Sequence, residues 1–173
     1  ILAERNVLLE LQEANELQPT LSGAGDMLPA KFKDEAGYWY GTFYDPVVFL
    51  INQQYARTVG QEKLRGWFDL ESNNDNIRIS VENLSNNNGT INFIGSFASH
   101  NGETTTLNFL WNIHRKIDQY AKFPFTPIRL AAVGDADLAI TRQSFVSQYL
   151  ENNFPAYVIY PKEGTPINLF CVG

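Results

Sequence analysis

The chain has 173 residues and a formal net charge of −6, with 44% hydrophobic and 18% charged residues. These are the proportions of a folded globular protein rather than a disordered one, and thirteen basic residues against nineteen acidic ones supply no general field for polyanions, which excludes nucleic acid as an expected partner. The lone cysteine, Cys171, rules out an internal disulfide and a multi-cysteine metal site, and its apolar neighbours Phe170 and Val172 predict a buried thiol.

No apolar run approaches the roughly 20 residues that cross a bilayer, so this segment is not expected to touch a membrane directly. A start at Ile1 reads as the exported or periplasmic portion of a processed or truncated protein.

In chain order, residues 1–20 form an amphipathic helix, with Val7, Leu8, Leu11 and Ala14 on one side and glutamates elsewhere. Residues 21–173 then make a single α+β domain. Its first segment, 21–37, is a long loop leading into the aromatic run Tyr38-Trp39-Tyr40-Gly41-Thr42-Phe43-Tyr44. Asp45-Pro46 has the form of a helix start and predicts a helix over 46–70. Ile77, Ile79 and Val81 alternate with polar residues, Asn86 to Gly89 offers a turn, and Ile91, Phe93 and Phe97 alternate again, which predicts a β-hairpin over 77–99.

Apolar spacing then predicts a helix over 103–122, ended by Pro124 and Pro127. A strand over 128–133, a helix over 139–153 and a C-terminal hairpin over 157–172 complete the chain. The expected fold is an α+β sandwich, a mainly antiparallel sheet with helices packed on one face.

Chemistry-bearing residues are few. The two histidines show no metal-ligand spacing, and no phosphate-cradling glycine loop or Gly-x-Ser-x-Gly elbow occurs, so neither a metal nor a cofactor is expected. Asp135 and Asp137, after an apolar stretch, occupy a position where α/β enzymes place acids, although Asp137 also suits a helix N-cap. With His114 they are the only catalytic candidates. Tyr38, Trp39, Tyr40 and Tyr44 are the binding candidates, because Tyr and Trp dominate interfaces and also stack on sugars.

An aromatic cluster without a catalytic constellation points first to a non-catalytic protein-interaction or assembly module, the soluble part of a larger or membrane-attached complex, with a protein partner or a second copy of the chain. The alternative is a small enzyme or ligand-binding domain with an aromatic-lined pocket, and the next is a carbohydrate-binding module.

Overall fold

The computed structural model describes residues 28–60, 63–72, 76–83, 88–151 and 154–172; the helix expected over 1–20 lies outside them. The chain divides into two compact units, a larger one, Pro46–Ile167, and a smaller one made of Ile1–Asp45 and Asn168–Gly173. No described helix is long and apolar enough to cross a membrane.

The larger unit is organised around β1, Tyr40–Asn52, which enters it at Pro46. Val47 to Ile51 form an unbroken apolar run in which every residue is buried, the signature of a strand covered on both faces. Two strands flank β1 and run antiparallel to it: β4, Leu138–Arg142, with Ile140 opposite Phe49, and β5, Ala156–Ile159, with Ile159 opposite the same residue. Parallel to β4 lies β2, Ile79–Glu82, and parallel to β2 lies β3, Ile117–Ala121. The order is β3-β2-β4-β1-β5, a mixed sheet in which β1 runs against the other four strands, not the mainly antiparallel sheet the sequence suggested.

Helices cover both faces rather than one. Val47, Phe49 and Ile51 of β1 point into a core shared with α3, Asn88–Asn101, and α4, Glu103–His114. Val48 and Leu50 point the other way, onto α5, Phe125–Val133, and α6, Gln143–Glu151. Two short helices, α1 (Gln53–Val59) and α2 (Asp69–Ser72), follow β1. The first core centres on Trp67, against which Phe49, Phe93, Phe97 and Phe109 pack with ring centroids 4.7–6.1 Å away, the separations at which aromatic pairs attract.

Several predicted elements change type. The helix over 46–70 gives way to the second half of β1 and then α1, which starts where the buried Asn52 caps it by accepting from the Gln54 and Tyr55 N–H groups. The hairpin over 77–99 keeps its first strand as β2, but its second half is α3. Phe93 and Phe97 lie four apart, a spacing that satisfies a strand's period of two and a helix's i, i+4 alike. Residues 128–133 belong to α5, where Ile128, Ala131 and Ala132 share a buried face at i, i+3, i+4. The helix over 103–122 stops at His114 and continues as β3, and that over 139–153 divides into β4 and α6. No hairpin forms over 157–172, because β5 and β6, Ile167–Val172, each pair with β1.

In the smaller unit a single 3-10 turn, Ala30–Phe32, precedes the start of β1. The Thr42 hydroxyl donates to the Phe170 carbonyl at 2.9 Å, and Phe43 stacks on Phe170 at 4.2 Å. Cys171 is exposed, not buried as its neighbours implied.

One ion pair fastens the amino ends of the parallel strands. Arg78, just before β2, donates from Nε and Nη2 to the two carboxylate oxygens of Asp137, just before β4, at 3.3 and 2.8 Å. Its Nη1 and Nη2 also reach the Asp135 and Gly134 carbonyls, while the Arg78 N–H donates to Asp137. Bidentate geometry with nearly all guanidinium donors used is the arrangement in which such a pair contributes measurably. Asp137→Ala is therefore expected to cost about 1–3 kcal/mol, read as a lower urea midpoint at unchanged m-value.

At the other end of the sheet, Lys162 donates to both carboxylate oxygens of Asp69 at 2.9 and 3.0 Å. Burial raises the Asp69 pKa, but the Lys162 ammonium and the Arg65 and Gly66 N–H groups together outweigh it and hold the carboxyl below its ordinary value. A carboxylate held low in the folded state adds stability that is present above its unfolded pKa, about 3.9, and is lost as pH falls through the folded value. Asp69→Asn should therefore flatten the acid limb of a stability–pH profile measured by urea unfolding.

Among the described residues the Tyr157 hydroxyl is buried without a hydrogen-bond partner. Because an unpaired buried hydroxyl carries its desolvation cost, Tyr157→Phe is expected to leave stability unchanged or raise it by about 1 kcal/mol, measured in the same unfolding experiment.

Candidate ligand-binding site

In open sheets of this kind ligands gather beyond the carboxyl ends of the parallel strands, where successive connections leave in opposite directions. Here the chain passes outward from β2 to its neighbour β3 and then returns across β2 to β4. The carboxyl ends of β3 and β4 thus flank that reversal, and each feeds a helix. α6 begins at Gln143, directly after Arg142, and α5 begins at Phe125, after Lys122-Phe123-Pro124. Neither helix has an acidic residue in its first turn, but in α5 Pro127 carries no N–H and the Thr126 N–H donates to the Phe123 carbonyl at 3.1 Å, so the helix start whose dipole can attract an anion is that of α6.

The side chains at this edge form a shelf. The Arg142 guanidinium lies 4.2 Å from the Phe145 ring centre and the Lys122 ammonium 5.6 Å from that of Phe123. Phe125 and Phe145 meet at 4.9 Å with planes 58° apart, which ties the starts of α5 and α6 together. Phe123 is 63% exposed and Phe125 41%, so both rings are open to solvent at this edge. Two cations, the start of α6 and an aromatic wall can accept an anionic group attached to an apolar or ring-shaped body.

Further along the same edge lies a groove of about 370 Å³. Its level follows from the register, because Val47 pairs with Arg142 at the carboxyl end of β4 and donates its N–H to the Pro166 carbonyl at 3.0 Å. Trp67 and Phe97 form its floor, and Ser96, His100, Asn101 and Thr165 lie around it.

The residues singled out from sequence lie elsewhere. Asp135 and Asp137 are in the α5–β4 turn at the amino ends of the parallel strands, and Asp137 is engaged by Arg78. The stretch before them is a helix, so they do not occupy the strand-end position that motivated them. His114 ends α4 on the surface, with Nδ1 2.7 Å from the Tyr120 hydroxyl. Tyr38, Trp39, Tyr40 and Tyr44 fall in the smaller unit. Tyr40 is buried, Tyr38 and Trp39 are half-buried, and Tyr44 is 60% exposed and stacked on Phe32 at 6.1 Å; with Phe32 and Phe43 it borders an apolar hollow of about 410 Å³.

Arg142, Lys122 and Phe125 were missed because 139–153 was read as one helix and 128–133 as a strand, which placed none of them at a strand end. The signal was Leu138-Ala139-Ile140 running into Thr141-Arg142-Gln143, an apolar strand with a polar exit. Among the described residues no three His, Cys, Asp or Glu side chains gather as a metal-holding group.

No family model matches the sequence. An uncharacterized protein of Haemophilus influenzae is 24% identical over 165 residues, covering 91% of this chain and 47% of that protein. Among solved structures, the periplasmic binding protein AfuA of Actinobacillus pleuropneumoniae, with fructose-6-phosphate bound, is similar with a TM-score of 0.70 at 23% identity, over 90% of this chain and 54% of that one. Iron-bound HitA of Pseudomonas aeruginosa gives 0.74 at 13% identity over 98% and 53%, and the ferric binding protein of Campylobacter jejuni 0.73 at 14% over 98% and 54%. The chain spans about half the length of the proteins it matches.

These neighbours are ligand-binding proteins, which overturns the first functional expectation: an assembly module with a protein partner finds no support among them, and the ligand-binding alternative is the better match. At such identities the likeness establishes the fold, a mixed α/β architecture shared with domains of periplasmic binding proteins.

Proposed function

We propose that this chain is a ligand-binding domain of a periplasmic-binding-protein type, acting outside the cytoplasm, and that its larger unit holds a small anionic organic ligand on the shelf at the carboxyl ends of β3 and β4. The observation that carries the reading is Arg142 at the last position of β4, with α6 opening immediately behind it. A phosphate or carboxylate there would meet the guanidinium and the first N–H groups of α6 together, the pairing that makes helix N-termini effective anion sites. Phe125 and Phe145 would pack against the rest of the ligand, with Lys122 adding longer-range attraction. The sugar phosphate in AfuA and the iron in HitA are the ligands of those proteins; for this chain the side chains on the shelf favour an organic anion over a bare cation.

The test is calorimetric titration of the intact chain with inorganic phosphate, a hexose 6-phosphate and citrate at low and high salt. At least one should bind, more weakly at high salt, and Arg142→Ala should weaken it about tenfold or more, the loss of one charge-assisted contact, while leaving the ligand-free unfolding midpoint nearly unchanged. Failure of all three to bind, or an unaltered affinity in Arg142→Ala, would contradict the reading.

A further inference from the structure

The 370 Å³ groove differs in chemistry from the shelf. Its volume falls within the range of small-molecule sites, and its walls are fixed. On one side Glu163 accepts from the Trp67 N–H at 3.0 Å, the Trp67 indole donates to the Gly164 carbonyl at 3.0 Å, and Lys162, bonded to Asp69, stands 3.9 Å from Glu163. A Cβ on Gly66 would displace the Glu163 carboxylate from this position. Thr165 donates to the Val47 carbonyl. On the other side the last turn of α3 is steadied by Asn101 Nδ2, which donates to the Phe97 carbonyl at 3.0 Å.

No Lys or Arg is among the described residues lining the groove. The single carboxylate, that of Glu163, accepts from the Trp67 N–H with one oxygen and stands 3.9 Å from the Lys162 ammonium with the other. The remaining polar groups are neutral hydroxyls and an amide together with the exposed imidazole of His100, above a floor of Phe97, Trp67 and Ile167. An anionic ligand would lose its hydration here without a counter-charge, and a cationic one would meet a Glu163 carboxylate that already faces the Lys162 ammonium. A ring or chain of hydroxyls meets neither obstacle, since each hydroxyl both donates and accepts and the C–H face can lie on the apolar floor.

We infer that the groove is a second binding site, independent of the shelf, for an uncharged, hydroxyl-rich ligand such as a monosaccharide or polyol, with His100 and Asn101 supplying its specific hydrogen bonds.

Trp67 at the floor provides the probe. In the intact chain carrying Trp39→Phe and Trp111→Phe, Trp67 is the remaining indole of the three, and its emission is followed during titration with glucose, fructose and glucitol. The inference predicts a saturable change with at least one of them that is insensitive to salt. His100→Ala and Asn101→Ala should each weaken it about fivefold, one hydrogen bond's worth, with circular dichroism reporting that both variants fold. Arg142→Ala should leave it unaltered. No saturable response to any of the three, a response indifferent to both groove variants, or one abolished by Arg142→Ala would overturn the assignment. Binding of anions at the shelf, measured separately, is unaffected by any of these outcomes.

Discussion

The larger unit depends on burying one strand from both sides. β1 runs against its neighbours through the middle of an otherwise parallel sheet, and Val47 to Ile51 alternate between two cores: Phe49 and Ile51 toward Trp67, Phe97 and Phe109, and Val48 and Leu50 toward Ile128, Ala131 and Val146. Five consecutive buried apolar side chains bring on the order of 2 kcal/mol each in transfer free energy, and no other described strand of the unit has so long a buried run. The helices take their places accordingly, α3 and α4 over the odd positions and α5 and α6 over the even ones.

That arrangement gives the sheet two unlike ends. The amino ends of β2 and β4 are closed by the Arg78–Asp137 pair and by the tight turn at Gly134, whose φ of 89° lets the Asp135 and Ala136 N–H groups that follow it reach back to the Leu130 carbonyl. Polar groups there satisfy one another. The carboxyl ends open onto exposed phenylalanines, cations and the start of α6, where polar groups face outward. The polar groups around Asp137 are spent on one another while those beside Arg142 face outward, which is why the ligand reading attaches to Arg142 and not to Asp137.

The sequence showed the presence of both helices and strands, the strand at 79–82 and the punctuation at Pro124 and Gly134. It did not show which elements were which, and the reasons are physical. Asp45-Pro46 is a sound local helix start, but the apolar run behind it is more valuable as a strand covered on both faces, so tertiary burial overrides the cap. Phe93 and Phe97 satisfy either period, and the cluster around Trp67 decides for the helix. Ile117 and Tyr120 continue the spacing of α4 across a break that only the pairing of β3 with β2 reveals. The site was less legible than the fold, because Arg142 becomes notable only once it is known to end a parallel strand. Asp135 and Asp137 drew attention through a position that they do not hold.

The central claim is that ligand contact falls on the carboxyl edge at β3 and β4. Amide hydrogen exchange on the intact chain, with and without a bound anion from the calorimetric series, tests it most directly. The account predicts slowed exchange concentrated at residues 122–128 and 142–147, the openings of α5 and α6. Protection centred instead on the amino-end turn at 134–137, or absent from both helix openings despite saturating anion, would contradict it.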